Sequence, residues 1–228
     1  MPDSLESRLA AVRSRIDQAC RRAGRSPDEV SLLPVSKTFP SDVLREAAAL
    51  GIRRFGENRM QEIRQKDAEL TDLRPEWVLI GHLQTNKARD AARLVNEVQS
   101  LDRWSLAEAL HARLQLEERV IDVLVQVKTS PEPSKFGLDA DELPEFLDRL
   151  RELPTMRVKG LMTMAINSPD ESAVRACFGL LRELRDRMRA QGHTGLDRLS
   201  MGMSGDFEWA IEEGSTEVRI GSAIFGPR

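Results

Sequence analysis

Residues 31–40 read SLLPVSKTFP, a short apolar run that closes on Lys37 and meets Pro40 and Ser41 immediately afterwards. An apolar run of this length, followed by helical spacing in residues 41–50 (SDVLREAAAL), predicts a buried strand feeding a helix. The same alternation continues outward along the chain. Strand candidates recur as RRFGEN (53–58), EWVLIGH (76–82), EVQSL (97–101), DVLVQVK (122–128), VKGLMTM (158–164), RLSMG (198–202) and EVRIG (217–221). Helical stretches separate most of them: residues 102–118, 139–153 and 168–192. Ahead of the first strand, Leu5, Leu9, Val12, Ile16 and Cys20 recur at three and four residues and predict an amphipathic helix. In the last long helix Val174, Cys177, Leu181, Leu184 and Met188 form the apolar stripe, and Gly192 is its stop signal. Eight strands alternating with helices predict a single (β/α)8 TIM barrel over residues 1–228, with an open doubly wound sheet as the competing reading.

Composition narrows the function classes. The 228 residues are 40% hydrophobic and 31% charged, an ordinary globular balance with enough length for a sizeable core. A formal net charge of −3 argues against a broadly nucleic-acid-binding surface. No apolar stretch approaches the ~20 residues of a membrane span. The N-terminal MPDSLESRLAAVRSRI lacks the apolar core of a secretory signal. Cys20 and Cys177 are isolated, so a reduced, cytoplasmic protein is expected.

In a barrel of this kind chemistry gathers at the C-terminal strand ends, where Lys37, Glu57 with Asn58, His82, Lys128, Met164, Met203 with Ser204, and Gly221 fall. Strand alternation sorts them further. With Lys37 inside, Leu33 and Val35 also face inward, and Leu32, Pro34 and Ser36 face the helices. In the last strand Glu217, Arg219 and Gly221 face inward. Barrel closure makes strands one and eight neighbours, so one flat ligand can bridge Lys37 and Arg219. A lysine ending a buried strand can act as a Schiff-base nucleophile, and an arginine within a strand needs an acceptor. Taken singly, each has an ordinary explanation: a surface lysine, or an ion pair inside the barrel. Turns at Ser204-Gly205 and Gly221-Ser222 offer N–H groups and hydroxyls suited to a phosphate. Together these features point to a site for a phosphorylated aldehyde.

Other motifs carry less. GMSGD departs from the nucleophile-elbow pattern G-x-S-x-G, because Asp206 stands at the final glycine position. His82, His111 and His193 are isolated from one another and from cysteine, so no metal site is expected. His82 could line the pocket; His111 and His193 are expected to be solvated.

The chain resembles the pyridoxal phosphate homeostasis protein family in VSKTFP, FGENRMQE, WVLIGHLQTNKAR, VQSLDRWSLAEAL, SKFGL, VKGLMTM and residues 199–226. The resemblance implies a barrel of the alanine racemase N-terminal type, with pyridoxal 5′-phosphate held as an internal aldimine on Lys37. It also implies that Arg219 faces the pyridine nitrogen, that Ser204, Gly221 and Ser222 cradle the phosphate, and that Asn58 and His82 line the pocket. The family's usual aromatic after FGEN is Arg59 here.

Enzymes that use this cofactor as an electron sink keep its ring nitrogen protonated with an acidic partner. An arginine there disfavours that protonation. Racemases of this fold add a tyrosine from a C-terminal β-domain; this sequence contains no tyrosine and ends after the eighth strand. The resemblance therefore implies a cytoplasmic, monomeric carrier of the cofactor without substantial catalysis, with pyridoxal phosphate-dependent apoenzymes as candidate acceptors. No nucleic-acid or membrane partner is expected. The alternative is a low-activity amino-acid racemase or related pyridoxal phosphate enzyme that uses Lys37 alone or with Lys135 or His82 as second base.

Overall fold

Each of the eight apolar runs forms a strand: β1 (Ser31–Pro34), β2 (Arg54–Glu57), β3 (Glu76–Leu79), β4 (Glu97–Leu101), β5 (Ile121–Gln126), β6 (Met156–Met162), β7 (Arg198–Ser200) and β8 (Glu217–Ile220). The computed structural model describes residues 4–132 and 136–227. All strand pairs are parallel, in the order β1-β8-β7-β6-β5-β4-β3-β2. The two ends of that order meet where Val35 bridges Gly56 and the Ser36 N–H donates to the Gly56 carbonyl at 3.0 Å. That closure makes a barrel and rules out the open doubly wound sheet.

A helix follows every strand: α2 (Ser41–Ala49), α3 (Met60–Glu69), α4 (Ala88–Leu94), α5 (Trp104–Leu116), α6 (Leu143–Leu150), α7 (Glu171–Ala190), α8 (Phe207–Glu212) and α9 (Ser222–Phe225). An additional helix, α1 (Leu5–Arg22), precedes the barrel and packs beside α8 and α9. Its buried residues are the expected stripe plus Ala19, and Ser4 caps it by accepting from the Ser7 N–H at 3.1 Å. The α7 stripe is likewise buried, with Phe178 added; Asp170 caps its start, and Gly192 takes the left-handed φ of 98° just past its end. Helices α3 and α4 lie outside the periodic stretches. Neither has a side-chain N-cap, and the buried residues of α3 are Met60, Ile63 and Lys66, a stripe with a lysine in it.

The core has two parts. Leu33, Val35, Val78 and Ile80 form a small cluster inside the barrel. The larger cluster lies between strands and helices and includes Phe55, Trp77, Phe178 and Phe207. Burying each such large apolar side chain contributes roughly 1.5–3 kcal/mol. The alternation of β1 and β8 is as expected: Val218 and Ile220 join the outer cluster, leaving Arg219 inside. The strands end earlier than the apolar runs, so residues 36–38 and 221–222 leave the ladder and turn over the C-terminal mouth.

Candidate functional site

Lys37 sits one residue beyond the barrel's closing contact, half-buried at the rim. Ser36 before it is fully buried, and Thr38 after it adopts φ 70°, a left-handed conformation unusual for a β-branched residue. The Thr38 N–H donates to Glu62 Oε2 at 2.6 Å, which holds the turn there.

Arg219 rises from β8 into the same mouth and is only 4% exposed. Its Nη1 donates to Ser200 Oγ at 2.8 Å and its Nη2 to the Thr163 carbonyl at 2.8 Å. Among the described residues no carboxylate lies within salt-bridge distance of it; Glu217, the ordinary candidate, is engaged by Arg54 and Arg198. Burial pushes Arg219 down to about 10, still far above neutrality, so the guanidinium keeps its charge.

Two glycines shape the surroundings. A Cβ on Gly81 would lie 2.2 Å from the Asn58 carbonyl oxygen, so only glycine lets the ends of β3 and β2 approach and bring His82 beside Asn58. Gly202 takes φ 95°, and a Cβ there would meet Phe207 at 2.9 Å and Ala210 at 2.7 Å. It allows the tight turn that carries Ser204 and Gly205 to the start of α8, where Asp206 Oδ1 accepts from the Met203 N–H at 2.6 Å.

Lys37, Asn58, His82, Ser204, Arg219, Gly221 and Ser222 all line one cavity of about 480 Å³. Met164 and Met203 line it too, Met203 as an exposed apolar residue at its edge. Two strand-end residues do not. Lys128 turns to Asp139 Oδ1 at 3.1 Å. Glu57 faces the helix layer under α3, because the inward places on β2 belong to Arg54 and Gly56. Arg59 is exposed and lines a separate polar groove with Lys87. Lys135 lies outside the described residues.

Phe136, Gln126 and Asp102 complete the surroundings of His82 and were not singled out from the sequence. The Phe136 ring stacks on His82 with centroids 4.1 Å apart, and Gln126 Nε2 donates to the Phe136 carbonyl at 2.9 Å. Asp102 Oδ2 stands 3.6 Å from His82 Nδ1. The usable signal was Gln126, a polar residue closing an apolar strand. The other two histidines are half-buried rather than solvated. His111 Nδ1 lies 2.7 Å from Thr155 Oγ1, and His193 Nδ1 lies 3.1 Å from Arg151 Nη2. Burial, with Arg151 nearby, lowers His193.

The opposite mouth of the barrel is filled with charge. Arg198 reaches Glu97 Oε2 and Glu217 Oε2, each at 2.7 Å, and Arg54 reaches Glu97 Oε2 at 2.8 Å and also Glu217. Burial alone would raise Glu217, but the attraction of Arg54 and Arg198 prevails and holds its carboxyl below the usual range. Gln99 Nε2 donates to Glu97 Oε1 at 2.7 Å and to Glu217 Oε1; Ser200 Oγ donates to Gln99 Oε1 at 2.7 Å. Since Ser200 Oγ also accepts from Arg219, one hydrogen-bonded chain runs through the barrel from the ion network to the cavity.

The cavity thus combines one amine, one buried cation, two hydroxyls and the glycine-containing turns that open α8 and α9. The only titratable side chains among its described lining residues are Lys37, His82 and Arg219. Among the described residues no cluster of metal-ligating side chains exists.

Residues 7–228 match the family model described as "Alanine racemase, N-terminal domain". The pyridoxal phosphate homeostasis protein of Aquifex aeolicus is 44% identical over 97% of this chain and 97% of its own length. That of Pseudomonas aeruginosa is 43% identical over 99% and 96%. The structure of PipY from Synechococcus elongatus with pyridoxal phosphate bound superposes with a TM-score of 0.87 at 37% identity, covering 98% of this chain and all (100%) of that one. The alanine racemase of Corynebacterium glutamicum shares the fold at a TM-score of 0.70 and 18% identity; this chain covers 62% of it and is itself covered at 96%. The chain belongs to the alanine racemase N-terminal domain family and, within it, to the pyridoxal phosphate homeostasis proteins.

Proposed function

We propose that this protein binds pyridoxal 5′-phosphate at the C-terminal mouth and carries it, as part of vitamin B6 homeostasis, without substantial catalysis. The observation that carries the reading is the convergence of Lys37, buried Arg219 and the Ser204 and Ser222 turns on one cavity of about 480 Å³. The PipY structure with pyridoxal phosphate bound, at 37% identity, supports the choice of ligand.

The residues fit the group. Arg219 lines the cavity and spends two of its donors on Ser200 and Thr163, which leaves further N–H groups from which a ring nitrogen can accept. Ser204, Ser222 and the first N–H groups of α9, which have no partners within that helix, suit a phosphate. Lys37, whose Nζ is the one amine among the described lining residues, would hold the cofactor's aldehyde carbon. When bound, the cofactor supplies an electron sink whose strength depends on protonation of its ring. A permanently charged Arg219 opposes that protonation, and no carboxylate among the described lining residues favours it. His82, stacked on Phe136 beside Asp102, orients the wall of the cavity.

The purified protein should be yellow, and borohydride should fix the cofactor onto Lys37. Peptide mapping that finds the adduct on Lys128 or Lys135 alone rejects the assignment. Exchange of an amino acid's α-proton in deuterated water that is fast and Lys37-dependent rejects the non-catalytic part. Arg219→Glu should alter the visible spectrum and raise that exchange.

A further inference from the structure

Behind the Lys37 turn, on the side away from the cavity, lies an ionic cluster that the proposed binding chemistry does not touch. Glu57 is fully buried and Lys66 is 5% exposed. Lys66 Nζ contacts Glu57 Oε1 at 2.6 Å and Glu62 Oε2 at 3.4 Å. A buried ion pair of this kind is weak evidence for stability, since apolar residues of similar volume often serve a core as well or better. The cost is visible here. Glu57 Oε2 is buried with no hydrogen-bond partner among the described residues, and burial raises this carboxyl despite Lys66 and Ser36.

The cluster's remaining bonds all go to the two residues that flank Lys37. Ser36 Oγ donates to Glu57 Oε1 at 2.7 Å, and the Ser36 carbonyl accepts from Lys66 Nζ at 2.9 Å. On the other side, the Thr38 N–H donates to Glu62 Oε2 at 2.6 Å. Thr38 is the residue held at φ 70°, a conformation that persists only where its surroundings impose it. Glu57 comes from β2, and Glu62 and Lys66 sit one turn apart on α3. One βα unit therefore grips the backbone on both sides of the lysine.

We infer that Glu57, Glu62 and Lys66 are positioning residues that fix the backbone of Lys37, so that its amine meets an aldehyde whose phosphate and ring are already seated. The inference rests on the function proposed above. It separates two contributions to binding. Seating depends on Ser204, Ser222 and Arg219; covalent capture depends additionally on this clamp.

Pyridoxal phosphate and pyridoxine 5′-phosphate, which has an alcohol in place of the aldehyde, distinguish the two. The clamp predicts that Glu62→Ala lowers the ratio of affinities, aldehyde over alcohol, by about ten-fold, as expected for a slightly misplaced reacting group. Glu62→Gln keeps an oxygen that can accept from Thr38 and should restore most of the ratio. In the cofactor-free protein, Glu62→Ala should also speed hydrogen exchange at the Thr38 amide. Lys66→Met should lower the ratio further, and a melt checks that it has folded; where it has not, the Glu62 pair decides. A ratio unchanged in Glu62→Ala, with borohydride still fixing the cofactor on wild-type Lys37, overturns the clamp alone. A wild type with no adduct on Lys37 overturns the proposed function and the clamp together. Equal losses in Glu62→Ala and Glu62→Gln overturn the role of the Thr38 hydrogen bond.

Discussion

At the N-terminal mouth of the barrel, Arg54, Arg198, Glu97 and Glu217 satisfy one another within 2.8 Å, and Gln99 closes the network from above. At the C-terminal mouth, Arg219 is buried more deeply than Arg54 or Arg198, but its bonds among the described residues go to a hydroxyl and a carbonyl. The same strands carry both arrangements. Burying a charge demands compensation, and at one end the protein supplies all of it. At the other it supplies neutral acceptors and leaves room for a ligand. A closed network locks the strands in place; an open one is available for chemistry, and the hydrogen-bonded chain Glu217–Gln99–Ser200–Arg219 joins the two.

Substitutions can break or sharpen that contrast. The largest effect expected is from Lys37→Ala, which should abolish the visible band and the borohydride adduct, leave weak phosphate-anchored binding, and change stability by less than ~1 kcal/mol. Absorbance, mapping and denaturant melts check it; a large loss of stability would make the open mouth structural too. Next, Glu217→Ala leaves Arg54 and Arg198 under-compensated and should cost ~3–5 kcal/mol of stability. In whatever fraction stays folded, the cofactor spectrum should be that of the wild type. A cost below ~1 kcal/mol would mean that water replaces the carboxylate readily.

Smaller for each bond lost is the effect of Ser204→Ala with Ser222→Ala. Each lost charge-assisted bond should weaken pyridoxal phosphate by ~1.5–3 kcal/mol. Affinity for pyridoxal, measured by the same titration, should barely move. Normal binding by the double variant would assign the phosphate to backbone N–H groups alone.

The smallest effect is a pair of opposite pH slopes. Glu217 is depressed, so its contribution is present above the unfolded value near ~4.3 and lost as pH falls through the folded value. Glu57 is raised by burial, so its charge costs stability once pH climbs above ~4.3, and fully so beyond the raised folded value. Relative to wild type, Glu217→Gln should therefore fall behind as pH rises through that region, whereas Glu57→Gln should gain. A tenfold difference in proton affinity between the folded and unfolded chains is worth about 1.4 kcal/mol. Denaturant unfolding from about pH 3 to 7 measures both, and slopes of the same sign would erase the distinction.

Much of this was legible in the sequence because period-two patterning is strict where a strand has a barrel on one face and helices on the other. That periodicity places Leu33, Val35, Lys37 and Arg219 inside, where the structure has them. Family resemblance brings Asn58 and His82 to the cavity. What escapes is long-range and polar. Lys66 sits in the charged stretch MQEIRQKDAE, and nothing local reveals that Glu57 and Ser36 lie beneath it. The Gln99 chain joins residues of three different strands through side chains alone. Phe136 meets His82 across a loop whose course no periodicity encodes. Helices α3 and α4 escape as well, because they lack caps and clear apolar stripes.

The strand order, with β1 beside β8, has a temporal consequence. A ribosome delivers Lys37 early, but Arg219 and the Gly221-Ser222 turn emerge about 180 residues later. A nascent chain can offer an aldehyde a lone lysine, no better than any other lysine in the cell. On the function proposed above, capture should become selective only when the last strand docks against the first, so a chain that stops short of the eighth strand should compete poorly for the cofactor and stay colourless.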